Sequence, residues 1–167
     1  MRNISEASLI EVRSYRGEDA SATLTVFLDA ITETAAADYS PAQIAAWARP
    51  EHRTVPEWHR AMQGRNSYVA LLNKQVVGFS DVNCEGHIDM MFVSPRDSRR
   101  GVASALLSHL HVQAHAKGIV GLAADVSITA RPFFEKHGFT IATHQNSMTA
   151  GIRIANFRMT KVLDSMR

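Results

Sequence analysis

Apolar and polar positions along the chain switch between two periods, and the switch divides it into a helical front and a strand-rich middle. Ser8–Tyr15 carries Leu9, Ile10 and Val12 among β-compatible residues and predicts a first strand. After Asp19, placed to cap a helix, Leu24, Phe27, Leu28 and Ile31 fall at i, i+3, i+4 and i+7 and form one helical stripe. Ser40-Pro41-Ala42-Gln43 and Thr54-Val55-Pro56-Glu57 each set a hydroxyl before a proline and a Gln or Glu three residues on, the pattern that starts a helix. From Ser67 the period becomes two. Ser67–Leu72, Gln75–Val82 and His87–Val93 predict an antiparallel meander with turns at Asn73-Lys74 and Asn83–Gly86.

The helical period then returns with Ala103, Leu106, Leu107, Leu110 and Ala114, ended by Gly118. Ile119–Val126 predicts a buried strand. Thr129 or Ser127 is placed to cap a helix through Lys136, and a last pair of strands runs from Ile141 to Val162. In the final strand the apolar residues move from even positions (Ile152, Ile154) to odd ones (Phe157, Met159), which predicts a bulge near Ala155-Asn156. No repeat or linker interrupts this order. Residues 1–167 read as one domain, its core running from roughly residue 8 to 163, of the α+β class with a mixed sheet flanked by helices.

Composition narrows the class. With 46% hydrophobic and 20% charged residues among 167, the chain has the make-up of a globular domain. A formal charge of +2 is too small to indicate a nucleic-acid partner, and acids (Glu85, Asp89, Asp97) are mixed among the bases. No apolar run approaches the roughly 18 residues of a membrane span, and Met1–Arg13 lacks the stretch of a signal peptide. One cysteine, Cys84, excludes an internal disulfide framework and a multi-cysteine zinc site. The expectation is a cytoplasmic protein with no membrane and no nucleic-acid partner.

The chemistry concentrates in Phe92–Ser104, a segment that leaves a strand, passes Arg96, Arg99 and Arg100, and enters a helix at Gly101. The first amides of a helix lack intrahelical acceptors and sit at its positive end, so they can hold a phosphate by backbone alone. That requires small side chains where the backbone meets the anion, and Gly101 and Ala103 supply them. No Gly-Lys-Ser/Thr ending and no triple-glycine fingerprint is present, which sets aside two common nucleotide loops. A solvated basic loop is the plain alternative.

Val93-x-Pro95…Arg100-Gly101-Val102-Ala103, followed by an Ala/Leu-rich helix, resembles the acetyl-CoA loop of the GNAT superfamily of N-acetyltransferases, Gln/Arg-x-x-Gly-x-Gly/Ala. Ser127…Ala130…Phe133-Phe134…Gly138-Phe139 is similar to a second motif of that family, Asn-x-x-Ala-x-x-Phe-Tyr-x-x-x-Gly-Phe, and Asp38-Tyr39-Ser40-Pro41-x-Gln43…Trp47 resembles a bacterial subgroup with poorly defined acceptors. The likeness extends over nearly the whole chain. It implies a central, mostly antiparallel twisted sheet of about seven strands flanked by helices.

It also implies transfer of an acetyl group from acetyl-CoA to a primary amine of a small molecule, less readily of a peptide, within a ternary complex. The cofactor residues it implies are Met91, Phe92, Val93, Ser98, Arg99, Arg100, Gly101, Val102, Ala103, Ser104, Ser127 and Phe134. The Met91 amide would polarise the thioester carbonyl. Ser98 stands where the family has Gln or Arg, Ser127 where it has Asn, and Phe134 where many members have a proton-donating Tyr. A non-catalytic CoA-binding module is the competing reading that these departures suggest.

A base must take a proton from the amine. Strand alternation puts His87, Asp89, Met91 and Val93 on one face, so Asp89 can act as base or orient His87. Tyr39 and Trp47 fall where the family walls its acceptor pocket. Asp125 reads as a structural hydrogen-bond partner. His111 and His115, four apart, share a helix face with Ser104 and Ser108 that reads as solvated, so no metal is expected. Family members often form homodimers, which leaves that state open.

Overall fold

The computed structural model describes residues 9–164, so Ser8 of the expected first strand, residues 1–7 and residues 165–167 lie outside the description. The chain makes two four-stranded sheets. Strands β1 (Ile10–Ser14), β2 (Ser67–Leu72), β3 (Gln75–Asp81) and β5 (Met91–Val93) pair antiparallel in the order β1-β2-β3-β5. The second sheet runs β4 (His87–Ile88), β6 (Gly121–Ser127), β8 (Ile152–Val162), β7 (Thr140–Thr149), and only its β4–β6 pair is parallel. Asn73 and Lys74 both take positive φ, which matches the β2–β3 turn to the twist of its strands.

The expected third strand of the meander is therefore divided. His87-Ile88 belongs to one sheet and Met91–Val93 to the other, and the chain crosses between them at Asp89-Met90.

Helices α1 (Ala20–Asp29), α2 (Pro41–Ala48) and α3 (Val55–Gln63) lie on one side, and α4 (Val102–Ala116) on the other. β2 is buried along its whole length because it is covered on both faces. Val69 and Leu71 pack with Phe27, Ile31, Trp58 and Met62, whereas Ala70 and Leu72 pack with Val102 and Leu106. α4 continues past the edge of the first sheet, and Leu107, Leu110 and Ala114 cover Leu122, Ala124 and Val126 of the second. Each fully buried Leu of this stripe contributes about 1.5–3 kcal/mol. Gly78 lets α4 sit close: a Cβ there would stand 2.9 Å from Val102 Cγ1 and 3.1 Å from the Phe92 carbonyl oxygen.

The Ser40 box forms in full: Ser40 Oγ accepts from the Gln43 amide at 3.2 Å, and Gln43 Oε1 accepts from the Ser40 amide at 2.9 Å. Thr54 caps α3 through the Glu57 amide at 3.4 Å. Asp19 does not cap α1. Its carboxylate is taken by Arg13 (2.8 and 3.0 Å) and by the Arg16 amide (2.8 Å).

The bulge expected at Ala155-Asn156 is also absent there, since β8 keeps an unbroken register with β7 across those residues and with β6 from Asn156 on. The register shift lies instead in β7, between Ile141 and Thr143. The phase change in β8 has a different cause: Ile154 is buried against Ala35 and Tyr39 on one face, and Phe157 and Met159 against the α4 side on the other. The strand passes from one covering layer to another without changing its pleat.

Candidate active site

Asp81, at the end of β3, is 5% exposed and organises the crossing between the sheets. Its Oδ1 accepts from the amides of Asp89 (2.8 Å) and Met90 (3.3 Å), and Ser80 Oγ donates to the Met90 carbonyl at 2.7 Å. One carboxylate thus satisfies two amides that leave the ladder where the strand breaks. Burial pushes the Asp81 carboxyl up to about 6, against the Met90 bond and the charges of Arg65 and His87, which hold it down. Arg65 Nη1 lies 3.6 Å from Asp81 Oδ2 and binds Asp89 Oδ2 directly. Asp89 Oδ1 accepts no hydrogen bond among the described residues.

The break corrects the expected alternation. Ile88 and Met91, three apart, both pack toward the α4 side, and Met90 and Phe92 pack toward α1. Asp89 is half exposed, with its side chain at 48%. His87 Nε2 lies 3.7 Å from Asp125 Oδ2. Asp125 is fully engaged, accepting from Arg158 Nε at 2.7 Å and Gln145 Nε2 at 2.6 Å.

β5 is an edge strand, paired with β3 alone. The bonds Ser94 N–H to Val77 O (2.8 Å) and Asp81 N–H to Met90 O (3.3 Å) set the ladder phase, so Phe92 is the residue whose groups face β3. In an antiparallel pair the residues between bonded positions turn their N–H and C=O outward. Met91 and Val93 therefore present theirs to the open edge. Across from it, β6 pairs with β4 only at Ala123 and Ala124, leaving Asp125–Ser127 without a strand on that side. A wedge opens between the two sheets.

Past β5 a 3-10 turn (Pro95–Asp97) leads to Arg99 at φ 60° and Gly101 at φ 85°, the left-handed region that favours glycine. The Asp97 amide donates to Ser94 O at 2.9 Å, and the next engaged amide, that of Ala105, donates to Gly101 O at 3.0 Å. The amides from Ser98 to Ser104 donate to no protein acceptor among the described residues. A Cβ at Gly101 would meet only Ile10 Cδ1, at 3.9 Å, so the turn is open. Arg100 is held to Asp97 at 3.0 Å, whereas Arg96 and Arg99 are exposed and pair with no carboxylate among the described residues. Ser98 Oγ is spent on Pro95 O at 2.7 Å. Ser104 Oγ lies 3.2 Å from His137 Nε2. This arrangement fits a diphosphate: outward backbone donors, a helix positive end, two free guanidiniums and no side chain in the way.

A cleft of about 470 Å³ joins the wedge to the helices. Asp89, Met91, Phe92, Ser127 and Phe134 line it, as do Tyr39 and Trp47; His87 does not. Tyr39 is a buried brace whose hydroxyl donates to Ala155 O (2.7 Å) and accepts from the Ile128 amide (2.9 Å). Trp47 is half-buried, edge-on to Tyr39 with ring centroids 5.5 Å apart. Neither Ser127 nor Thr129 caps α5 (Arg131–Lys136) as expected, because the N-cap is Ala130: Ser127 Oγ accepts from the Ala130 amide at 3.0 Å in the turn ahead of the helix, and Thr129 Oγ1 donates to Asp38 Oδ2 at 2.8 Å. Phe134 is 3% exposed and packs against Phe133 and Phe139. His111 is not on a solvated face as expected: burial, then Lys161 and His137, lower its pKa.

Two cleft residues, Arg53 and Arg65, carried no recognisable sequence signal, and the buried Asp81 beside Arg65 carried a weak one. For Asp81 the available clue was an acid inside an apolar β run.

The acetyltransferase (GNAT) domain family model matches residues 35–161. The uncharacterized N-acetyltransferase YafP of Escherichia coli (strain K12) is 40% identical over 150 residues, which are 90% of this chain and 94% of that protein. A GCN5-related N-acetyltransferase structure from Rhodopseudomonas palustris superposes with a TM-score of 0.88 at 33% identity, covering 93% of this chain and 97% of the other. The PaiA N-acetyltransferase of Thermoplasma acidophilum, solved in complex with coenzyme A, shares the fold with a TM-score of 0.72 at 20% identity over 93% and 99% of the two chains.

Proposed function

Because the chain belongs to the GNAT family and is an acyltransferase, we propose that it moves an acetyl group from acetyl-CoA to a primary amine of a small molecule by direct attack in a ternary complex. The observation that carries this reading is the unengaged run of amides from Ser98 to Ser104, set beside the open edge of β5. Those amides, with Arg96 and Arg99, suit the diphosphate of CoA. The outward N–H and C=O groups of Met91 and Val93 suit an extended amide-bearing arm, as an added strand would pair.

In this mechanism the Met91 N–H donates to the thioester oxygen as negative charge develops there. Asp89 Oδ1, free and at the cleft wall, takes the proton from the acceptor ammonium, directly or through a water. The amine nitrogen bonds to the carbonyl carbon and gives up its second proton to water, the carbon–sulfur bond breaks, and the sulfur departs with the electron pair. Phe134 has no proton to give it. A free thiol has a pKa near ~8.5, so the thiolate leaves without that help and takes its proton from water. Tyr39 and Trp47 wall the acceptor side. His87, held beside Asp125, is not assigned a proton-transfer step.

No helix among the described residues is long and apolar enough to cross a membrane. We place the enzyme in the cytoplasm, where its composition is at home.

The test is thermal unfolding with and without acetyl-CoA, followed by thiol release against an amine panel. Ligand at 100 times its Kd stabilises by about 2.7 kcal/mol. A rise in Tm with thiol release is the expected result. No shift at millimolar acetyl-CoA refutes the reading, and a shift with no transfer to any amine favours the non-catalytic CoA module that Phe134 brings to mind.

A further inference from the structure

The charged groups of the cleft do not all have partners. Asp89 is bound by Arg65, and Asp125 by Arg158 and Gln145. Arg53, between α2 and α3, lines the same cleft and makes no ion pair with any described carboxylate.

Its guanidinium is nonetheless fixed. Nε donates to Ala48 O at 2.6 Å and Nη2 to Trp47 O at 3.1 Å, and the plane sits 4.5 Å from the centroid of the Phe27 ring. A guanidinium has five N–H donors, so with two spent three remain without a protein acceptor. Burial, and then the like charge of Arg49, lower its pKa, and no described carboxylate offsets them. Closing the last turn of α2 explains the two spent donors. It does not explain a half-buried cation that faces a cleft with its remaining donors idle.

A rigid, planar guanidinium with adjacent free N–H groups matches a carboxylate bidentately. Its free N–H groups form one fork, which offers a single bidentate contact of the width of a carboxylate's two oxygens; Arg49 adds to the positive field from outside the cleft lining. Asp89, with a free oxygen in the same cleft, suits the ammonium end of the same molecule. Resting on the acetyl-transfer reading above, we infer that the acceptor is an amino-carboxylate, an amino acid or close analogue, and that Arg53 grips its carboxylate.

The experiment uses the full chain with saturating acetyl-CoA and follows thiol release with matched probes: L-phenylalanine against L-phenylalaninamide, L-methionine against L-methioninamide, and L-lysine against L-lysinamide. The amides carry the less basic amine, more often neutral and hence more reactive, so intrinsic chemistry works against the inference. The expected result is that in at least one pair the free acid exceeds its amide in kcat/KM by about tenfold or more, the scale of one charge-assisted pair. Arg53→Gln removes that preference, Arg53→Lys retains part of it, and both keep the wild-type Tm rise with acetyl-CoA. Amides equal to or better than acids in every pair, transfer to none of the acids, or an unchanged preference in Arg53→Gln each overturn the inference. The wild-type ratios and Arg53→Lys decide the matter even if Arg53→Gln fails to fold. Absence of any Tm rise with acetyl-CoA in the wild type instead strikes the acetyl-transfer reading itself.

Discussion

Replacing Asp81 by Asn changes one ionisable atom group and leaves an oxygen able to accept from the Asp89 and Met90 amides. In the folded chain this carboxyl titrates at about 6, against 3.8 for an ordinary Asp. A carboxyl with a raised pKa holds its proton more tightly when folded. Between pH 3.8 and about 6 the native state therefore binds more protons than the unfolded one, and the contribution of Asp81 to stability falls as pH rises through that window. Above about 6 the full penalty of a buried, ionised carboxylate is present. Roughly two pH units at about 1.36 kcal/mol each give about 3 kcal/mol. The Asn variant has nothing to titrate at this position. Urea unfolding of both proteins from pH 4 to 7 isolates the effect in the difference, because other carboxylates titrate in both. Asp19 is one of these: burial opposes its charge, yet the Arg13 bonds and the Arg16 amide win and its pKa is lowered. From pH 4, where the unfolded carboxyl is already more than half ionised, to pH 7 the wild type should lose about 2–2.5 kcal/mol relative to Asp81→Asn. A flat difference, or one with the opposite slope, refutes the argument.

Gly101→Ala should cost about 1–2 kcal/mol of stability, because φ is 85° there although the space is open. Gly101→Glu adds a like charge beside the diphosphate, and a further loss of about 1–3 kcal/mol in acetyl-CoA binding should appear by calorimetry. Equal affinity in wild type and Gly101→Glu contradicts the assignment of the loop. Asp89→Asn should lower kcat by about 10²–10⁴ while the KM for acetyl-CoA stays near the wild-type value; steady-state kinetics with unchanged kcat removes Asp89 from the mechanism. Tyr39→Phe leaves the Ala155 carbonyl and the Ile128 amide without their partner, and chemical unfolding should show a loss of about 1–3 kcal/mol. Undiminished stability would mean that the brace is idle.

The parts of the fold that the sequence specified are those governed by local chemistry. The Ser40 box, the Asn73-Lys74 turn, the α4 stripe and the Gly101 entry into it are each decided within a few residues, and each forms as expected. The misreadings arise where a distant group overrides the local pattern. Asp19 looks like a cap until Arg13 takes its carboxylate. His87–Val93 looks like one strand until Asp81, on a neighbouring strand, extracts two of its amides. Those two bonds end the simple alternation, so Ile88 and Met91, three apart, pack to the same side. β8 looks bulged because period counting assumes one covering layer, and this strand has two. Arg53 and Arg65 had no periodic or motif context at all; only the fold decides that carboxylates reach Arg65 and that backbone carbonyls hold Arg53.

The wedge beside β5 has a mechanical consequence. Each sheet stops short of the other, with outward backbone groups at Met91 and Val93 on one bank and Asp125–Ser127 without a partner strand on the other. On the acetyl-transfer reading, an extended guest that stitched those banks together would act as a keystone, converting two part-sheets into one span. Loading the acyl donor would then be the closing stage of assembly, with the architecture one course short until it arrives.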